Sequence, residues 1–283
     1  MHRYVNCIAH NSSEGNLLLG EEFTALFDCG MVFCAQETIQ KVQEALAGRN
    51  LDYIFMSHTH YDHIGALPFF REKWPQARTV TTERGAAILL KDTPRRVFRE
   101  LSAAAAAAQS AECDLNYNDN AFYADIIVKE RDIIPLGGLS VEVMETPGHT
   151  RDSLSFFIPE ISLLILCETP GVLMPDGNIY PTYLTSYDDT IRSIEKCRVK
   201  RYEVLSLPHM GAVSSEVSET YFDKALAANT ACRDFILAMK EKGMDEDEMI
   251  DAFFKEYASE TLLAYQPKEA FLANAKAAIA STI

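Results

Sequence analysis

Basic residues are scarce in this chain: 26 Lys and Arg stand against 41 Asp and Glu, a formal charge of -15 over 283 residues. Such a balance repels nucleic-acid backbones and anionic membrane surfaces, which excludes the polyanion-binding classes. No segment approaches the roughly eighteen consecutive apolar residues of a membrane helix, and residues 1–7 hold no apolar stretch long enough for an export signal. The seven cysteines include no C-x-x-C pair and are odd in number, as expected of free thiols in a reducing compartment. No serine or cysteine lies in a recognisable nucleophile motif. These absences predict a cytoplasmic protein with a small-molecule substrate, no nucleic-acid or membrane partner, and chemistry without a covalent intermediate. The hydrophobic fraction of 48% suffices for a core, and the length suits a main domain with an appendage.

What the chain does have is concentrated histidine. The stretch Ser57-His58-Thr59-His60-Tyr61-Asp62-His63-Ile64-Gly65 follows the apolar run Tyr53-Ile54-Phe55-Met56. Three imidazoles and a carboxylate within six positions would each need buried polar partners, and a metal supplies them. The run before His58 reads as a buried strand, so the ligands fall on a loop at a strand's carboxyl end. Strand geometry lets His58 and His60 share a side, but Asp62 and His63 are adjacent, so a turn is required to gather all four. Four ligands fill one tetrahedral ion; further histidines imply a second. Apart from His2 and His10, the others are His149 and His209, each after a strand-like run and before turn residues.

The pattern His58-x-His60-x-Asp62-His63, followed by Thr146-Pro147-Gly148-His149-Thr150 and Pro208-His209-Met210-Gly211, resembles the metallo-β-lactamase superfamily over about residues 12–215. The resemblance implies an α/β fold, a four-layer αβ/βα sandwich with two metals in a cleft at one edge. It implies that His58, His60 and His149 hold one metal and that Asp62, His63 and His209 hold the other. The family's usual bridging aspartate is replaced here by Glu168, whose stem is one methylene longer; it either bridges both metals or binds one and leaves the other more open. Asp176, in a Met-Pro-Asp-Gly turn, is the competing bridge. Cys167 should point away from the side Glu168 faces. Asp28, at a strand end, reads either as an acid supporting a metal ligand or as a turn cap.

In chain order, residues 16–20 and 24–30 read as strands, 36–48 as a helix and 67–73 as another, before a strand at 79–82. Residues 83–131 read as a helical insertion, which either shapes the substrate pocket or, as the six alanines at 103–108 favour, is only a surface helix of high propensity, with Phe122 and Tyr123 as candidate pocket residues. Strands resume at 133–136, 139–145, 153–158, 162–167 and 203–207, and Tyr180, Tyr183 and Tyr187 suit either a pocket wall or a packed loop. The first domain is placed at 1–215, and 216–283 is a helical extension that packs over the core or forms a homodimer contact.

A divalent ion lowers the pKa of bound water toward neutrality, so attack by metal-bound hydroxide is the expected chemistry, with Asp62 orienting the water or taking its proton. Two divalent metal ions are expected, zinc first, with iron and manganese as rivals. The insertion and tail look similar to the quinolone-signal response proteins of this superfamily, thioesterase-like members with di-iron centres. A hydrolase of an ester or thioester-type small molecule is the leading reading. The alternatives are a ligand-binding or regulatory metalloprotein with little turnover and a diiron redox protein.

Overall fold

The computed structural model describes residues 3–9 and 14–283, with the backbone alone for 264 and 265. His2 and His10 lie outside the described residues. The first half of the chain builds one sheet from β1 (Arg3–Asn6), β2 (Asn16–Leu19) and β3 (Thr24–Phe27), then α1 (Ala35–Leu46), β4 (Tyr53–Phe55), α2 (Tyr61–Ile64), α3 (Leu67–Lys73), β5 (Arg78–Thr81), α4 (Glu83–Leu89), α5 (Asp92–Ala108) and β6 (Ile126–Ile127). Its strands stand in sequence order, antiparallel from β1 to β3 and parallel from β3 to β6. The second half contains β7 (Ile133–Pro135), β8 (Ser140–Glu145), β9 (Leu154–Ile158), β10 (Leu163–Ile165), a hairpin of β11 (Val172–Leu173) and β12 (Ile179–Tyr180), α6 (Tyr187–Arg198), β13 (Val204–Leu207) and β14 (Gly211–Ala212). Its sheet runs β14-β13-β10-β9-β8-β7. Four helices close the chain: α7 (Ser215–Glu241), α8 (Glu246–Tyr257), α9 (Glu260–Tyr265) and α10 (Lys268–Thr282).

The central strands β2, β3, β4, β9 and β10 are buried along their whole length because both faces of each sheet are covered. Leu18, Ala25, Phe27 and Phe55 point between the sheets, where they meet Val143, Leu154, Phe156 and Ile165. Their neighbours Leu17, Leu26 and Ile54 point outward to Val42, Phe70 and Phe98 on the helices. On the far side, Phe157, Leu164 and Leu205 pack with Ile194 of α6 and with Tyr221 and Ala225 of α7. The result is the four-layer sandwich. A separate cluster holds the tail together, with Ile236, Met249, Phe253 and Phe271 at its centre and Tyr180 and Tyr183 reaching into it from the sandwich.

The stretch 83–131 departs from the all-helical expectation. It is helical as far as Ala108, but Ile126 and Ile127 pair in parallel with Val80 and Thr81 as an edge strand. Two β-branched residues beside an open sheet edge are enough to recruit that segment. Among the described residues, no helix is long and apolar enough to cross a membrane.

Candidate metal centre

Every candidate ligand lies just beyond the carboxyl end of a strand: residues 58–63 after β4, His149 after β8, Glu168 after β10 and His209 after β13. The two sheets are tied at this edge, where Leu154 N–H donates to Ser57 O at 2.7 Å and Thr59 N–H to Asp152 Oδ2 at 3.0 Å. As a result, His58, His60, His149 and Glu168 each bring a ligand atom within 4.8 Å of the others, and Asp62, His63, Glu168 and His209 do the same. Glu168 belongs to both groups. The turn that gathers Asp62 and His63 is α2, whose backbone returns Ile64 N–H to His60 O at 3.1 Å.

Neighbouring groups fix the rings. His149 Nδ1 donates to Thr182 O at 2.6 Å, and His63 Nδ1 donates to Asp28 Oδ2 at 2.9 Å, so each presents the lone pair of Nε2 to the centre. Asp28, read two ways from sequence, orients His63 while its other oxygen accepts Ser57 N–H at 2.7 Å. Gly148 holds the turn before His149 at a φ of 143°, where a Cβ would fall 2.1 Å from Thr190 Oγ1, so only glycine fits.

The donor set fits a pair of divalent ions. His58 Nε2 is buried and has no hydrogen-bond partner among the described residues. His149 Nε2 lies 3.0 Å from His60 Nδ1 and 2.9 Å from Glu168 Oε2. On the other side, Glu168 Oε1 lies 3.3 Å from His63 Nε2 and 2.5 Å from His209 Nε2. Asp62 Oδ2 is 3.8 Å from His63 Nε2 and 3.9 Å from His209 Nε2. Imidazole and carboxylate lone pairs thus converge on two points, and a cation at each satisfies them. The extra methylene of Glu168 sets one oxygen toward each group.

Charge differs between the two groups. Burial, reinforced by His63, His60 and His149, holds the His58 imidazole well below its ordinary value, and burial beside His149 brings His60 down to about 4. Both are neutral, the form that ligates. Burial would push Glu168 up, but His149, His209 and His63 outweigh it and hold the carboxyl well below the usual range. For His63, burial is outweighed by Asp62 and Asp28, which hold it high, and for His209 by the hydrogen bond and charge of Glu168, which lift it to about 9, so an ion bound on this side would displace a proton from each ring to take its lone pair.

Two residues escaped sequence reasoning. Glu14 is buried, and its Oε1 accepts the backbone N–H of His209, which has a left-handed φ of 64°; burial pushes its carboxyl up despite His209 and His63. The other is Asp152, also buried, which caps Thr59. For Glu14, the available signal was a lone acid two residues before the fully buried strand β2. Asp176 is exposed in its turn and accepts from Asn178 N–H at 2.9 Å, away from the centre. Cys167 faces Thr146 Oγ1 at 3.2 Å, on the side opposite Glu168.

A cavity of about 420 Å³ opens beside the centre, with His60, Asp62, Glu168 and His209 at its base. Val97, Phe98 and Leu101 of α5 form one wall, the β11–β12 hairpin a second, and Leu262, Gln266, Ala270, Ala273 and Asn274 of the tail a third. Phe122 and Tyr123, the expected pocket residues, are elsewhere: Phe122 is core, packed on Phe98 and Tyr117, and Tyr123 lies under the Arg71 guanidinium. Of the three tyrosines, Tyr180 lines the cavity. Tyr183 and Tyr187 instead meet the tail through Thr282 and Thr230, each at 3.1 Å.

The family model described as the metallo-beta-lactamase superfamily matches residues 16–209. Over 149 residues the chain is 30% identical to a nitric oxide reductase of Moorella thermoacetica, covering 52% of this chain and 31% of that one. It is 23% identical over 219 residues to a metallo-beta-lactamase fold-containing protein of Sulfurisphaera tokodaii, covering 75% and 77%. With a hydroxyacylglutathione hydrolase of Rhodopseudomonas palustris it shares 29% identity over 122 residues, 43% of this chain and 35% of the other. The chain thus spans about a third of the length of the first and the last of these relatives. Among solved structures, an archaeal superfamily protein from Sulfolobus tokodaii superposes with a TM-score of 0.61 at 20% identity, covering 80% of this chain and 86% of that one. A sec-alkylsulfatase from Pseudomonas sp. superposes with a TM-score of 0.62 at 15% identity, covering 98% and 48%.

Proposed function

Because the chain belongs to the metallo-beta-lactamase superfamily, we propose that it is a dinuclear metal-dependent hydrolase of a neutral ester or thioester with an apolar acyl part. The observation that carries this reading is Glu168, whose two carboxylate oxygens reach the two histidine groups separately. Divalent ions held there would bring the pKa of water toward neutrality and offset the negative charge that develops on an attacked carbonyl. The chain's own groups do the rest. Asp62, half-buried at the cavity base, accepts a hydrogen bond from the attacking water and then its proton. Val97, Phe98, Leu101, Leu173 and Leu262 exclude bulk water and hold the acyl part. Among the described lining residues the charged side chains are Asp62, Glu168 and His209 of the metal centre, and the walls beyond them carry none, which suits an uncharged acyl part.

The test is a screen of protein with quantified metal against apolar acyl esters, acyl thioesters, lactones and phosphodiesters. The reading predicts metal-dependent hydrolysis of the first two classes, abolished by His58→Ala. Two bound metals with no turnover on any class would instead support the ligand-binding reading. The 30% match to the Moorella nitric oxide reductase favours a redox activity as the second reading; oxygen or nitric oxide consumption and absorbance changes on reduction would reveal it.

A further inference from the structure

The loop that carries Glu168 is pinned at each of its four residues. Glu168 O accepts from Thr182 Oγ1 and from Gly171 N–H, the latter at 2.9 Å. Thr169 Oγ1 donates to Thr146 O at 2.6 Å. The next two carbonyls are held from α7, on the outer helical layer. Asn229 Nδ2 of α7 donates to Pro170 O at 2.9 Å, and the Tyr221 hydroxyl, two helical turns earlier on the same helix, donates to Gly171 O at 2.6 Å. Asn229 and Tyr221 are fully buried. Gly171 is pressed so closely on β12 that a Cβ would stand 2.5 Å from Ile179 Cγ2, at a φ of 119° that side chains rarely adopt. The loop therefore has no slack on its other side to compensate for a lost anchor.

A buried carbonyl left without its donor incurs its full desolvation penalty, and the backbone shifts to find another partner. Here a shift would be transmitted to Glu168, whose oxygens must meet His149 on one side and His63 and His209 on the other. We propose that Tyr221 and Asn229 are positioning residues for Glu168, so that α7, which lies beyond the family match ending at residue 209, is a working part of the metal centre. Neither side chain lines the cavity or touches a ligand; each acts through the loop. The inference rests on the reading of Glu168 as a ligand to both metals.

Tyr221→Phe and Asn229→Leu remove the donors and keep the approximate shape. The full chain is stripped with chelator and titrated with cobalt(II), following stoichiometry, affinity and the visible d–d absorption. Loss of partners that orient ligands weakens metal binding 10–100-fold, and anchors one bond further removed are expected at the low end, about tenfold for the double variant. The band of the fully loaded double variant is expected to differ from that of the wild type. Ile236→Ala, in the tail cluster, is the control: it lowers the melting temperature and leaves the band unchanged. Wild-type affinity and spectrum in Tyr221→Phe, Asn229→Leu and the double variant would overturn the inference alone. Failure of the wild type to take up two equivalents would overturn the metal-centre reading and the inference with it.

Discussion

Glu168 carries the asymmetry of the centre. An aspartate, the usual bridge of the family, is one methylene shorter, and in this loop it would have to move toward the histidines to recover the 2.9 Å contact of Oε2 to His149 and the 2.5 Å contact of Oε1 to His209. Glu168→Asp is therefore expected to weaken metal binding and to slow hydrolysis, each by about tenfold. Elemental analysis alongside turnover checks both; a rise in turnover would mean that Glu168 obstructs the substrate. Glu14 acts at the same scale on the other side of His209. Glu14→Ala takes the buried carboxylate acceptor from the His209 N–H in a half-buried, left-handed turn and is expected to cost about 1 kcal/mol in urea unfolding, whereas Glu14→Gln keeps an acceptor and costs less. The imidazoles were legible in the sequence because no other use accounts for three of them and an acid in six positions. Glu14 was not, since an acid before a strand ordinarily faces water and only the approach of the 209 turn buries it.

Elements, rather than single residues, decide what enters the cavity. Its walls come from α5, the β11–β12 hairpin and the tail, three parts of the chain that lie far apart in sequence. Ala273 is exposed at the rim, so Ala273→Trp should narrow the mouth without disturbing the fold. The expected outcome is a KM for long-chain acyl esters raised about tenfold at unchanged metal content, since a bulky side chain at the entrance penalises binding and not the centre. A second element-scale junction joins α3, β5 and the segment before β6: the Arg71 guanidinium and the Thr79 N–H both donate to Asp125 Oδ2 at 2.9 Å. Burial opposes ionisation of Asp125, but the Thr79 N–H and Arg71 outweigh it and hold the carboxyl below its ordinary value. A depressed carboxyl contributes stability that is present above the unfolded value of about 3.9 and is lost as pH falls through the folded one. Asp125→Asn should therefore lower the melting temperature at pH 7, by an amount that shrinks below about pH 4.

Strands β2 to β5, β7 to β10 and β13 were readable as apolar runs bounded by turns, whereas the edge strands β1, β6 and β14 were not; the helical character of the tail was readable too. Unreadable were the partners: nothing local says that Ile126 and Ile127 extend the first sheet, or that α5 offers Val97, Phe98 and Leu101 to the cavity while Ala105 and Ala106 turn into the core. Phe122 and Tyr123 failed as pocket residues for the same reason, because an aromatic residue is equally at home in a core or under a guanidinium.

Over the whole molecule, the centre closes the sandwich. Four loops from two sheets, joined by few direct hydrogen bonds at this edge, converge on ligand atoms within 4.8 Å, so bound ions would cross-link the halves of the chain. An ion at about 100 times its dissociation constant stabilises the native state by about 2.7 kcal/mol, and two by about twice that. For a chain of this size, chelation should then lower the melting temperature by roughly 10 °C. The net charge of -15 also favours cation uptake over polyanion binding.

The most direct measurement is metal stoichiometry by elemental analysis of purified protein after dialysis, with His58→Ala and Asp62→Ala beside the wild type. Two divalent ions per chain in the wild type, and about one in each variant, is the predicted result. Retention of fewer than two ions by the wild type, or of two by both variants, would contradict the paired centre from which the rest follows.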